Sequence, residues 1–527
     1  MGRFEETLLA GKEFVITCEL IPGRGHSGKS IENILRFVEE IKSCPDVHAL
    51  SLTDNAGGNP ALTADVLGKE ILDLGMDIIV HFACKDMNRN FVESRAFALQ
   101  RTGVTNLLVV TGDYPVAGFL GLPKPVFDID SVNALHFLTS MNEGLEIAGA
   151  KGANVCLDTT LFLLGAAVSP FKWTEGPCVM QYVKLEKKLR AGARYFITQL
   201  GYDARKHIEL VNYVRLVLKS QVPLIGSVYV LSAGAAEYMS KGEVPGSYVP
   251  ERLVKILREE AKAADKGKKA RLDRAARQLA ILKGLGYSGA HLEGLNLKAE
   301  DIVYIIAHSR EVASNWKDFL PEFDFAPPNP YYYFEGGEVA RVPSTEAVLV
   351  PRQTPIPGMY SPTFWAMRGL HKAFFHEHTP GYKLMAGLSR GIDKKKGLAR
   401  AFSHAEHFTK RVVLGCRYCD DCALFETYYI CPESGCPKGM RIGPCGGSRV
   451  DERCEVYPDK YCYWRNVYKR AKNRHETEKL RFLIQPRDWS LYQTSSWLNY
   501  FLKRDHSGHP LIPCSEKDQE ETPVKTT

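Results

Sequence analysis

FVITCELIPGRGHSGKSIENILRFVEEIKSCPDVHALSLTD, residues 14–54, decides the fold. Phe14 to Leu20 is a short β-rich run, Ser30 to Ile41 repeats apolar residues at helical spacing, and His48 to Asp54 is β-rich again. Strand, amphipathic helix, strand is the unit from which a parallel sheet with external helices is built. The unit recurs. Asp77 to Cys84, Asn106 to Asp113, Asn154 to Phe162, Tyr195 to Gly201, Val222 to Val230 and Gly289 to Leu295 bring the strand candidates to eight, with segments such as Ala204 to Leu218 as helices between them. Eight such units close into a (β/α)8 TIM barrel of the α/β class. An open doubly wound sheet is the alternative, weakened by the absence of a Gly-x-Gly-x-x-Gly turn after a strand.

In a barrel the chemistry sits at the C-terminal ends of the strands. Those ends carry Glu19, Thr53 and Asp54, His81 and Cys84, Thr111-Gly112-Asp113, Gln199, and Tyr229 with Ser232. One motif competes. Gly23 to Ser30, GRGHSGKS, satisfies the P-loop pattern directly after a strand and before a helix, where backbone amides could cradle phosphate. The approach through Leu20-Ile21-Pro22 is not an open glycine-rich turn, so the competing reading is a plain first loop with Ser30 as helix N-cap.

The chain has 527 residues, 45% hydrophobic and 24% charged, enough for two or three domains with sizeable cores. The net charge of +7 is spread rather than striped, apart from Lys394-Lys395-Lys396 and the segment Lys255 to Lys283, so no nucleic-acid partner is expected. The longest uncharged apolar run, Leu161 to Val168, is too short to cross a bilayer, and residues 1–20 lack the pattern of a secretory signal. A cytoplasmic protein without membrane contact is expected. In that reducing setting the cysteines gain meaning. Eight of them lie between Cys416 and Cys462, enough for two four-cysteine sites: Cys416, Cys419, Cys422 and Cys431, then Cys436, Cys445, Cys454 and Cys462. The first foursome, closing on Cys431-Pro432, resembles a ferredoxin-like iron-sulfur pattern. Zinc would accept either foursome, and disulfides are the third option.

Five strand-end motifs occur in a telling order: Thr17-Cys-Glu19-Leu-Ile-Pro22, Ser51-Leu-Thr53, Val80-His81-Phe-Ala-Cys84, Thr111-Gly-Asp113-Tyr-Pro115, and Ala191 to Gln199. Together they resemble methylenetetrahydrofolate reductase, a flavin-dependent barrel, over residues 1–318. CPESGCPKGMRIGPCGG, residues 431–447, resembles the cysteine-rich partner or fused domain of some bacterial reductases of that family. The resulting division is a barrel over 1–318, a connecting region over 319–405, a cysteine-rich metal-binding domain over 406–475 and a tail over 476–527.

The resemblance implies reduction of 5,10-methylenetetrahydrofolate to 5-methyltetrahydrofolate. It makes Glu19 the general acid that protonates the departing nitrogen as the methylene bridge opens. Asp113 is implied as catalytic and cofactor-tuning, Gln199 as substrate-binding, and Thr53, His81 and Lys188 as flavin contacts, with Asp128 or Asp130 at the ribityl or nucleotide part. The plainer readings are a solvated acid for Glu19, a hydrogen-bonded core residue for His81 and an exposed helix lysine for Lys188. FAD is implied, with FMN open. NAD(P)H is the implied electron donor if the cysteines hold zinc, and ferredoxin or another redox partner if they hold clusters. Two departures from the family pattern bear on that choice: the basic additions in His81 to Asn90 and the lengthened charged segment Lys255 to Leu285. A homo-oligomer is expected. A different class of function, a non-catalytic folate or methyl-carrier-partner binding protein with a zinc domain, is the alternative.

Overall fold

β1 (Val15–Leu20), β2 (Ala49–Leu52), β3 (Ile78–Ala83) and β4 (Asn106–Val110) pair in parallel, each with the next. β5 (Leu163–Val168), β6 (Tyr195–Thr198), β7 (Leu224–Tyr229) and β8 (Gly289–Glu293) continue the ladder, and β8 returns to β1 to close an eight-stranded barrel. The computed structural model describes residues 2–116, 118–149, 153–335, 352 and 362–508. They form two units: residues 1–353 with 446–455, and residues 354–445 with 456–527.

The fifth strand corrects the sequence reading. Asn154 to Phe162 does not enter the barrel; Asn154–Cys156 pairs with Glu146–Ala148 in a separate exposed hairpin, and the barrel strand is Leu163–Val168. Its small residues have a packing reason. A Cβ on Gly165 would lie 2.1 Å from Cζ of Tyr195 on the neighbouring strand, so only glycine lets that ring cross the interior.

Register determines what the interior contains, because side chains alternate between faces. Val15, Ala49, Ile79, Leu108, Leu163, Tyr195 and Ile225 form the apolar floor. The first helix, α1 (Arg3–Ala10), plugs that floor with Phe4 and Leu8, and Phe4 meets Tyr195 edge-on at 5.6 Å. Two residues further along, the same inward positions become Thr17, Ser51, His81, Ser227 and His291; two further still they are Glu19, Thr53, Tyr229 and Glu293. Hydrophobic burial therefore anchors the base, and the polar groups are held above it on rigid strands.

The P-loop lookalike is an ordinary loop. α2 (Lys29–Ile41) starts after Gly28, whose φ of 105° suits glycine, so Ser30 lies inside the helix and is not its N-cap. Residues 24–30 are exposed. Lys29→Ala is expected to change stability by less than about 0.5 kcal/mol, as for other surface sites, and thermal denaturation checks it. No ATP binding should be measurable before or after the substitution.

The charged segment Lys255 to Leu285 folds as parts of two helices, Glu251–Glu260 and Lys268–Gly284. In the second unit, helices Pro362–Phe374, Pro380–Asp393 and Lys396–Leu414 precede the cysteines, so much of the stretch read as a connecting region is helical and groups with them. The tail from 509 onward lies outside the described residues. Among the described residues no helix is long and apolar enough to cross a membrane.

Candidate active site

The polar layer above the barrel floor is hydrogen-bonded strand to strand. Thr17 Oγ1 bonds His291 Nδ1 at 2.7 Å, and Ser51 Oγ bonds His81 Nε2 at 2.8 Å. Donor atoms of Glu19, His81 and His291 lie within 4.8 Å of one another. Burial pushes His81 down to about 4, and burial together with the charge of His81 pushes His291 to about 3, so both imidazoles are neutral near pH 7. Glu19 moves the opposite way, its carboxyl raised well above the usual range by burial first and by the charge of Glu293 second. Glu293, at the end of β8, is itself pushed up by burial, against a hydrogen bond from Ser227 that favours its ionised form. Among the described residues no cation offsets either shift. The two neutral imidazoles, anchored by Thr17 and Ser51, and the raised carboxyl of Glu19 form one proton-holding network.

Around this centre the other sequence-derived positions fall into different situations. Thr53 is buried at the end of β2, and its Oγ1 has no hydrogen-bond partner in the protein. Asp54 is tied into the frame, accepting from Arg95 Nη1 at 2.6 Å and from the Ala83 amide. Asp113 accepts the Gly57 amide at 2.9 Å, which holds its carboxylate on the loop after β2. Gln199 directly follows β6, half-buried, with its Oε1 accepting the Leu200 amide. Cys84 is buried and its thiol is raised by burial.

Three further positions have partners that the sequence does not show. Lys188 is not an exposed helix lysine: it is buried on the helix Glu175–Arg190 and donates to Ala167 O at 2.6 Å, and burial pushes it down to about 7. Asp130 caps the helix Ser131–Glu143, accepting from the Val132 and Asn133 amides, and forms a buried ion pair with Lys184 at 2.9 Å. Against the upward push of burial, Lys184 and those amides hold its carboxyl below the usual range. Asp128 is held by Arg89 through both Nε and Nη2. Both aspartates thus have framework partners. His291 and Glu293 were missed by sequence reading, although Gly289, His291 and Glu293 fall on one face of a period-two strand.

In the second unit, Gly415 ends the helix Lys396–Leu414 with φ 63°, and the chain then turns through Cys416, Cys419 and Cys422. Cys431 stands at the N-cap of the short helix Pro432–Gly435. Burial raises the thiols of Cys416, Cys419 and Cys422, the last to about 11; Cys416 and Cys422 feel Cys431, and Cys419 feels Cys422. Opposing burial is Lys410, whose Nζ lies 3.7 Å from Cys422 Sγ and 3.0 Å from Glu406 Oε1. Asp421 braces the loop through Arg441 and His506, which hold its carboxyl far below the usual range despite burial. Of the second foursome, Cys436 interacts with Cys445 and Cys462, while Cys454 belongs to residues 446–455 of the first unit. The described cysteines are all free, so the disulfide option is not realised among them.

A family profile described as methylenetetrahydrofolate reductase matches residues 3–310, and one described as methylene-tetrahydrofolate reductase C terminal matches residues 396–490. Methylenetetrahydrofolate reductase 1 of Schizosaccharomyces pombe is 21% identical over 242 residues, 45% of this chain and 36% of that protein, so the match spans about a third of the relative. Among solved structures, an uncharacterized protein from Clostridium thermocellum, described as binding two copies of 5-methyl-5,6,7,8-tetrahydrofolic acid, aligns with a TM-score of 0.42 at 15% identity, over 59% of this chain and 99% of that one.

Proposed function

The chain belongs to the methylenetetrahydrofolate reductase family, and from that premise we propose that it reduces 5,10-methylenetetrahydrofolate to 5-methyltetrahydrofolate with flavin in the barrel mouth and Glu19 as general acid. The observation that carries this reading is the state of Glu19: an inward carboxyl at a strand end, pushed toward its protonated form by burial and by a second acid, with no cation among the described residues opposing the shift. Opening the methylene bridge requires a proton on the departing nitrogen, and a carboxylic acid still protonated near neutral pH supplies it. His81 and His291, neutral and anchored by Ser51 and Thr17, keep the site free of a cation that would ionise Glu19.

The residues present fit a flavin. The unpartnered Thr53 Oγ1 is a buried polar atom aimed at no protein group, neutral His81 lies one strand over, and Asp113 is fixed by the Gly57 amide. Thr53, His81 and Asp113 would hold it, with Lys188 behind the end of β5. Flavin, when bound, supplies the hydride that reduces the opened bridge. Asp128 and Asp130, each already held by a framework partner, would lie at its ribityl or nucleotide part, and Gln199 would contact substrate.

For the first cysteine foursome the donor set fits a metal: Cys422 interacts with Cys416, Cys419 and Cys431, and Lys410 lies beside it. The tight run Cys416, Cys419, Cys422 closing on Cys431-Pro432 favours an iron-sulfur cluster over zinc, and with it a ferredoxin-type electron donor over NAD(P)H.

Asp113→Asn is expected to preserve the fold, because the amide oxygen still accepts from Gly57, and to raise the flavin potential by removing a negative charge that disfavours the anionic reduced ring. Potentiometry reads this at about 30 mV per 1.4 kcal/mol of lost interaction for a two-electron couple. The reading as a whole is tested by anaerobic turnover of methylenetetrahydrofolate with a reduced dye as donor and detection of methyltetrahydrofolate. Absence of product from flavin-loaded protein contradicts it.

A further inference from the structure

We propose that Glu293 is a positioning residue for Glu19: the two carboxyls share one proton across the seam where β8 closes on β1, and Glu293 sets the pH range over which Glu19 can give its proton away. This rests on the reading of Glu19 as the general acid and adds to it a residue outside the five family-like motifs.

The geometry comes from the register. Thr17 is paired with His291 and Cys18 with Leu292 across the parallel seam, and the hydrogen bond between Thr17 and His291 shows that this pair faces inward. One alternation further along both strands, Glu19 and Glu293 fall on the same inward layer of adjacent strands. Glu293 Oε1 is 3.8 Å from His291 Nε2, and on its other side Glu293 is register partner to Tyr229.

The groups facing the pair come from several strands of the barrel. They are His81 on β3, His291 on β8, Ser51 on β2, Ser227 and Tyr229 on β7, and Tyr202 beyond the end of β6. The histidines are neutral, and burial raises both tyrosines so that they stay protonated. Two adjacent buried carboxyls with no counter-ion among the described residues cannot both ionise, so one proton is retained between them well above the pH at which either acid would release it alone. In turnover, the proton on Glu19 goes to the departing nitrogen. The carboxylate left beside Glu293 is then destabilised by like charge and recovers a proton from water, which restores the acid without an added reactant.

Glu293→Gln removes the charge and keeps the shape. In the wild type, single-turnover rate against pH should fall on the alkaline side as Glu19 loses its proton, and in Glu293→Gln that limb should move to lower pH by about one unit or more, a tenfold weaker hold on the proton. An even loss of rate with the limb unmoved would assign Glu293 a packing role and overturn the inference, while the general-acid reading would stand. A wild type with no turnover at any pH would instead overturn that reading.

A second measurement needs neither flavin nor substrate. A carboxyl whose pKa is raised by folding contributes stability that is present below its unfolded value and lost as pH rises toward its folded one. The protein should therefore lose stability from about pH 4.3 up to about 7, where Glu293 titrates in the folded state. Both Glu293→Gln and Glu19→Gln should flatten that slope, so either variant serves if the other fails to fold. A wild-type slope retained in both, or a stoichiometric divalent metal bound through Glu19, His81 and His291, would overturn the proposal.

Discussion

Glu19→Gln is expected to lower the rate of methylenetetrahydrofolate reduction by about 100- to 10,000-fold, the range general acid catalysis contributes, while flavin content and substrate affinity stay close to wild type. Glutamine has the shape of the protonated acid, so the polar layer formed by Thr17, Ser51, His81 and His291 has no reason to rearrange. What is lost is the transferable proton. Reduction of the bound flavin by a dye involves no folate nitrogen and should proceed normally in the variant, so the defect should appear only when folate is the oxidant. Rapid-mixing kinetics of the two half-reactions separates them. A loss smaller than about tenfold would remove Glu19 from the role, because general acid catalysis typically contributes at least about a hundredfold.

Removal of metal from the second unit is expected to have the other large effect. Structural thiolate sites supply apparent folding free energies of about 10–16 kcal/mol in small zinc peptides, and the loops around Cys416 to Cys431 have few regular elements of their own. Chelation, or Cys419→Ser, should expose residues 416–431 to hydrogen exchange and proteolysis while the barrel keeps its thermal transition and its flavin. With a cluster at this site, ferredoxin-driven reduction should fail in Cys419→Ser and dye-driven reduction should survive. Anaerobic iron, sulfide and zinc analysis of fresh protein distinguishes the metals. Protein that contains neither, yet keeps this region folded, contradicts a metal role for the cysteines.

Most of the barrel was legible because its strands are short, β-branched and regularly spaced between amphipathic helices. β5 was not, since Leu163–Val168 contains a glycine, Gly165, demanded by the ring of Tyr195, a contact between strands that no local pattern announces. The preceding Asn154–Phe162 looks more strand-like by composition, but only Asn154–Cys156 pairs, and in a surface hairpin. Glu19, Thr53 and His81 could be found because each ends a recognisable strand motif. His291 and Glu293 became visible only with the β1–β8 register, which sequence periodicity leaves open by one residue. Asp130 could have been recognised earlier as a helix cap from the Asp-Ser step before an apolar helix. The burial of Lys188 could not, because a lysine-rich helix end reads as solvated until its neighbours are known. The helices between Pro362 and Leu414 were obscured by proline and aromatic residues that suggest a linker, although Pro380 occupies the first turn of its helix, where proline is tolerated.

The most direct test of flavin chemistry at this barrel is a single anaerobic spectrum of the purified full-length protein before and after addition of 5-methyltetrahydrofolate. The expected result is a yellow protein whose oxidised-flavin absorbance bleaches as methylenetetrahydrofolate forms. A protein that neither carries nor takes up flavin, or whose flavin stays oxidised with excess methyltetrahydrofolate, would contradict it.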